Sequence, residues 1–305
     1  MLIRLFLLLF FTMCAMLAHG QALLPSTHPL IGKVLDRQAK FIDENLALDK
    51  VRERRYVFLG EKHDNPAHHA LEQRLIRERF KGVQSSSQGR VVFEMLDSSH
   101  DKAIAELKPD DSLDQIRTGL NWPAKAGWDW PSYSPLFQEA LKNSALAAGN
   151  IDRPFISKVY KEGEQVFLND PRFSTALNPP NALRDYLLDQ IFQSHCGMQS
   201  RETLTPMLHI QLAKDASMAS AMLQTPAAML VAGGEHVRED TGAPWHLRKQ
   251  KQDADVLIIQ MLEVEENNVD LASYVKKAGK ADLYWFTQAT EKKDYCAGVK
   301  GKAAQ

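Results

Sequence analysis

Short apolar runs of strand length alternate with stretches of helical periodicity along this chain. YVFLG, Tyr56 to Gly60, is the first clear strand. Asn65 and Pro66 then offer an N-cap and a first helical residue, and Leu71, Leu75, Ile76 and Phe80 mark the buried face of the helix that follows. GRVVFEML is a second strand, reaching Glu94. Strand, helix, strand implies a parallel pair joined by a right-handed crossover. Upstream, Val34, Ala39, Ile42 and Leu46 predict an amphipathic helix within 28–50.

From Asp97 to Thr225 helical segments dominate, broken by prolines. SPLFQEALKNSALAAGN and LTPMLHIQLAKDASMASAML each predict one helix, and ISKVYKEGEQVFL fits either state. Strand patterns return in AAMLVAGGEHV, ADVLIIQML and DLYWFTQ, and the tail from Lys292 is irregular. The prediction is an α/β protein: a parallel-rich mixed sheet flanked by helices, with an inserted helical subdomain over the carboxyl edge of the sheet. Its core spans 30–96 and 226–290, its insertion 97–225.

Composition changes this picture little. The 305 residues are 44% hydrophobic and 25% charged, and the formal charge of -1 gives no basic field for nucleic acid. The N-terminus changes it more. Arg4, an apolar run from Leu5 to Leu17 and the small residues before Gln21 read as an export signal over 1–20. The run is shorter than the roughly 20 residues that span a bilayer. Residues 21–305 then form one exported, periplasmic domain. Cys14 raises a lipoprotein and membrane association, but Met13 is bulkier than the small residue a lipidation site takes. Export favours a Cys196–Cys296 disulfide over two separate thiols.

In open parallel sheets, ligands bind beyond the carboxyl ends of the strands. Gly60-Glu61-Lys62-His63, Glu94 and Gly233-Gly234-Glu235-His236 all stand at such ends. The two Gly-x-x-His stretches therefore predict one rim, with His63 and His236 both within reach of Glu94. Glycine there would allow positive φ and close approach of a ligand. Trp122, Trp128, Trp130 and Tyr133 form either a core plug or a wall for a planar ligand, and Tyr133 offers a phenolate to ferric iron. His68 and His69 are expected to face solvent. His195 reads as a helix-end residue and His246 as first-turn. Met207 and Gln211 share the long helix with His209, and Arg238 would meet a ligand carboxylate, Asp240 or Glu94. No Gly-x-Ser-x-Gly elbow, phosphate loop or His-Glu-x-x-His helix is present.

The ordered set LGEKHDN, VVFEM, WDWPSYSPLFQEA, AGNIDR, HCGM, IQLAKDASMA, LVAGGEHVRED and GAPWHL resembles the ChaN-like haem-binding uptake lipoproteins of the erythromycin-esterase and Tiki/TraB superfamily. The resemblance runs from about residue 50 to 262. It implies haem held between sheet and helical subdomain in an exported protein of iron uptake. Tyr133, His63 or His236 would hold the iron, with Trp130, Met207, Gln211 and Arg238 lining the porphyrin. Expected partners are haem, a second copy in a homodimer, and outer- or inner-membrane uptake components. The Tiki branch implies an alternative, a metal-dependent hydrolase with Glu61, His63, Glu94 and His236 around a divalent ion. A third reading makes the charged rim purely structural.

Overall fold

The computed structural model describes residues 22–24, 27–81, 89–122, 127–294 and 296–297; the export signal read in 1–20 lies outside them. The strands are β1 (Val34–Asp36), β2 (Phe41–Ile42), β3 (Tyr56–Glu61), β4 (Arg90–Asp97), β5 (Ala145–Asn150), β6 (Ala228–Gly233), β7 (Val256–Glu263) and β8 (Leu283–Thr287). They form a sheet in the order β2-β1-β8-β7-β3-β6-β4-β5. Pairing is parallel from β8 to β5, and β1 joins antiparallel to both β8 and β2.

The helices are α1 (Glu44–Glu53), α2 (Pro66–Phe80), α3 (Asp101–Glu106), α4 (Leu113–Gly119), α5 (Trp130–Asn143), α6 (Arg153–Glu162), α7 (Asn181–Ser194), α8 (Thr205–Leu223), α9 (Ala243–Gln250) and α10 (Leu271–Ala278). They cover both faces of the sheet, which is why the central strands are continuous apolar runs. Val57 and Leu59 of β3 share one core with Leu71, Leu75 and Ile76 of α2 and Phe137 of α5. Tyr56 and Phe58 share the opposite core with Met218 and Met222 of α8 and Leu247 of α9. A third cluster, including Phe167, Phe173, Leu208 and Leu212, holds the helical subdomain together. Helix α8 serves both the second and the third, so it fixes the subdomain to the sheet. Among the described residues, no helix is long and apolar enough to cross a membrane.

Three segments differ from the sequence pattern. The helix expected across 28–50 begins only at Glu44, with Asp43 as its N-cap. Before it, β1 and β2 pair as a hairpin, turned through Ala39 at φ 58°. Val34 and Leu35 face opposite cores, a period of two that the more widely spaced apolar positions concealed. The second difference lies inside the expected helical insertion. SPLFQEALKNSALAAGN leaves the helix at Ser144, and ALAAGN becomes edge strand β5 beside β4. Its small residues suit a crowded position: a β carbon on Gly149 would stand 3.0 Å from the Phe93 carbonyl and 3.1 Å from Met218 Cγ. The undecided ISKVYKEGEQVFL is α6 followed by a 3-10 turn, Gly163–Phe167. Cys196 and Cys296 form a disulfide with Cα atoms 5.7 Å apart.

Candidate functional site

The parallel register brings the two Gly-x-x-His stretches side by side. Gly60 pairs with Ala232 and Glu61 with Gly233, so β3 and β6 end together, next to β4. Beyond β6, a 3-10 turn over Gly234–Val237 carries His236 back over the rim. Neither motif glycine has positive φ. Space selects them instead. A β carbon on Gly60 would come within 2.4 Å of Val237 Cγ2, and one on Gly233 within 2.7 Å of His63 Nε2.

Glu94 is the centre of the rim. Its Oε2 accepts the Gly233 N–H at 2.9 Å and lies 3.8 Å from His63 Nε2, while its Oε1 lies 3.3 Å from His236 Nε2. Each imidazole is held from behind by a second carboxylate. His63 Nδ1 is 2.9 Å from Glu61 Oε1, and His236 Nδ1 is 2.6 Å from Asp215 Oδ1 on α8. The Gln211 amide sits 3.1 Å from the same His236 nitrogen.

Charge follows from this geometry. Burial opposes a charge on His236, but Glu94 and then Asp215 outweigh it and raise the imidazole to about 10. Burial likewise opposes ionisation of Glu61, yet His63 and His69 bring it down to about 2. The Glu94 carboxyl is also held below its ordinary value, by His236 and His63 against the cost of burial. His63 is raised despite burial, chiefly by Glu94 and Glu61. The rim is thus a chain of ion pairs, and removing one member would leave its neighbour as a buried charge.

Several expected contributors stand elsewhere or in other roles. Tyr133 is 0% exposed and donates its hydroxyl to Glu61 Oε1 at 2.8 Å. Burial, and then Glu61, push its phenol well above the ordinary value, the opposite of what a phenolate ligand requires. Trp130 packs on Trp122 and Phe137 in the core below the rim. Trp128 takes the position beside the site, its ring 4.7 Å from that of His63. Arg238 is held by Asp240, donates to the Ala278 carbonyl and lies 4.4 Å above the Tyr186 ring, so it is not aimed at Glu94. Met207 belongs to the core of the helical subdomain. His68 and His69, expected in solvent, are buried. His68 is lowered to about 4 by burial, and bonds Thr287 and the Lys62 N–H. His246 is buried in α9 beside Thr175, and His195 ends α7.

Among the described residues, the three-donor grouping tight enough for a metal ion is not His63, Glu94 and His236. It is Glu61, His69 and Glu72, with ligand atoms all within 4.8 Å of one another. Asp215 and Glu72 were not singled out by the sequence, Trp128 was read only as one of four aromatics of a plug or wall, and His69 was placed in solvent. Periodicity contained a signal for one of them: Glu72 precedes Leu75 and Ile76 by three and four residues, on the buried stripe of α2. A cleft of about 300 Å³, lined by Asn150, Asp152, Phe155 and Arg172 among others, opens at the ends of β4 and β5 without including the two histidines.

A doubly covered, parallel-rich sheet with a histidine–carboxylate rim under a helical subdomain is the class this molecule defines. A family described as "Haem-binding uptake, Tiki superfamily, ChaN" matches residues 47–247, and the chain belongs to it. Among solved structures, ChaN of Campylobacter jejuni, described with cofacial haem binding, is 20% identical with a TM-score of 0.69. That match covers 85% of this chain and 98% of the other, and shows a shared fold. The type III effector HopBA1 is 10% identical with a TM-score of 0.41, covering 80% and 92%. No curated protein matches the sequence.

Proposed function

We propose that the protein binds haem at the carboxyl rim of the sheet, with His63 as the iron ligand. The observation that carries this reading is the setting of the His63 ring. Its Nδ1–H is fixed by Glu61, while its side chain remains 31% exposed beside Trp128. Iron-ligating imidazoles characteristically have the second ring nitrogen held by a carboxylate or carbonyl in this way. Nε2 pairs with Glu94 at 3.8 Å, too long for a hydrogen bond, so taking a ligand there requires the ring to give up a proton but breaks no hydrogen bond. Bound haem would supply an iron centre that takes a nitrogen ligand, which His63 would provide. Trp128 offers the porphyrin an aromatic wall, and Glu61 holds the imidazole in place.

Family membership supports haem as the ligand, and the haem-bound Campylobacter relative agrees with it. The reading extends to an exported protein of iron uptake, acting as a homodimer with membrane-bound uptake components. The Cys196–Cys296 bridge supports an oxidising compartment, as in the periplasm.

The test is a hemin titration of the purified protein. A Soret shift that saturates at a fixed ratio is expected, with affinity reduced at least tenfold in His63→Ala. Absence of a saturable shift in the wild type would remove the reading. Unchanged affinity in His63→Ala would remove His63 from the iron.

A further inference from the structure

Behind the rim, on the α2 side of Glu61, lies a second group of donors that the haem reading does not use. Glu72 is 0% exposed, and neither of its carboxylate oxygens has a hydrogen-bond partner. Both ring nitrogens of His69 are likewise without one. His69 Nε2 stands 2.9 Å from Glu61 Oε2, yet the two do not align as a hydrogen bond, and that oxygen too is unpartnered. Glu61 is divided between two sides. Its Oε1 takes the Tyr133 hydroxyl and His63, and its Oε2 faces His69.

A buried carboxylate with two empty oxygens needs a compensating partner. A proton on Glu72 would satisfy it only if the Glu61 carboxylate or His69, within 4.8 Å, accepted the bond, and would still leave the other donors of the cluster unpartnered. We propose that Glu61 Oε2, His69 and Glu72 form a metal site that takes one divalent first-row cation such as zinc, manganese or iron. His69 and Glu72 are three residues apart on α2 and share a helix face, which lets both reach one ion. Two carboxylates and a neutral imidazole balance the charge of the ion. The nitrogen donor favours this class over calcium or magnesium. The donors lie within 4.8 Å of one another, somewhat wider than the ~3.4 Å around a tetrahedral ion with bonds of about 2.1 Å, so binding draws α2 slightly toward β3. The cation would anchor Glu61, and through it the tilt of the His63 ring. The site stands independently of haem.

The experiment uses the full chain, stripped with chelator and titrated with Co²⁺ alone in the absence of hemin. One equivalent should bind with visible d–d bands and raise the thermal midpoint. Glu72→Gln should weaken binding at least tenfold, while Glu202→Gln, at an exposed position away from the ligand set, should retain it. An anomalous-scattering peak between Glu61, His69 and Glu72 in Co²⁺-soaked wild-type crystals gives the same answer without a variant. No saturable binding by the wild type, unchanged affinity in Glu72→Gln, or a peak between His63 and His236 instead would overturn the proposal.

Discussion

A β carbon on Gly233 would stand 2.7 Å from Nε2 of His63, so the glycine of one Gly-x-x-His stretch makes room for the histidine of the other. The two motifs are therefore halves of one rim. Gly233→Ala is expected to displace the His63 ring and to weaken hemin binding at least tenfold. The overpacking should cost about 1–3 kcal/mol in urea unfolding. Unchanged hemin affinity in a folded Gly233→Ala protein would contradict the fit.

Tyr133 separates a structural role from a ligand role. Tyr133→Phe removes the hydroxyl that donates to Glu61 and leaves a buried carboxylate one donor short. Stability should fall by about 1–3 kcal/mol. The hemin Soret band should keep its position. A shifted band would put the phenol on the iron after all.

His236 gives the rim a pH dependence. Its imidazole rises from 6.5 to about 10 on folding, so the stabilisation it brings is complete below 6.5 and is lost as pH rises through about 10. Urea unfolding at pH 6, 8 and 10 should show wild-type stability declining across that window. His236→Gln should be less stable at pH 6 and decline less steeply. Parallel profiles for the two proteins would show that His236 is not held charged.

The disulfide closes a loop of 100 residues, from the end of α7 to the C-terminal segment. A chain-entropy estimate puts its contribution at about 4–5 kcal/mol. Cys196→Ser should lower the urea midpoint, and reductant should lower that of the wild type but not of the variant. A wild-type midpoint indifferent to reductant would refute this.

Much of the architecture was written in the linear pattern. YVFLG, VVFEML, AMLVAG and VLIIQML are apolar without interruption because both faces of the sheet are covered, and such runs announce central parallel strands. The convergence of His63, Glu94 and His236 followed from one rule, that parallel strands gather their carboxyl ends at one edge. The pattern was silent where local preference and tertiary setting disagree. ALAAGN has the residues of a helix and became a strand because β4 offered an open edge and Gly149 the clearance. Val34 and Leu35 were too few to show a period of two.

The sequence by itself determined the five strands β8, β7, β3, β6 and β4, the N-cap of α2 and the glycines at the strand ends, since each depends on near neighbours or on unbroken hydrophobicity. Only the tertiary structure decided which polar groups meet. Asp215 reaches His236 because α8 crosses the rim, Trp128 replaces Trp130 beside His63 because of where α5 begins, and Glu72 meets Glu61 because α2 packs on β3. Burial and pairing are properties of elements brought together in space, and no spacing along the chain encodes them.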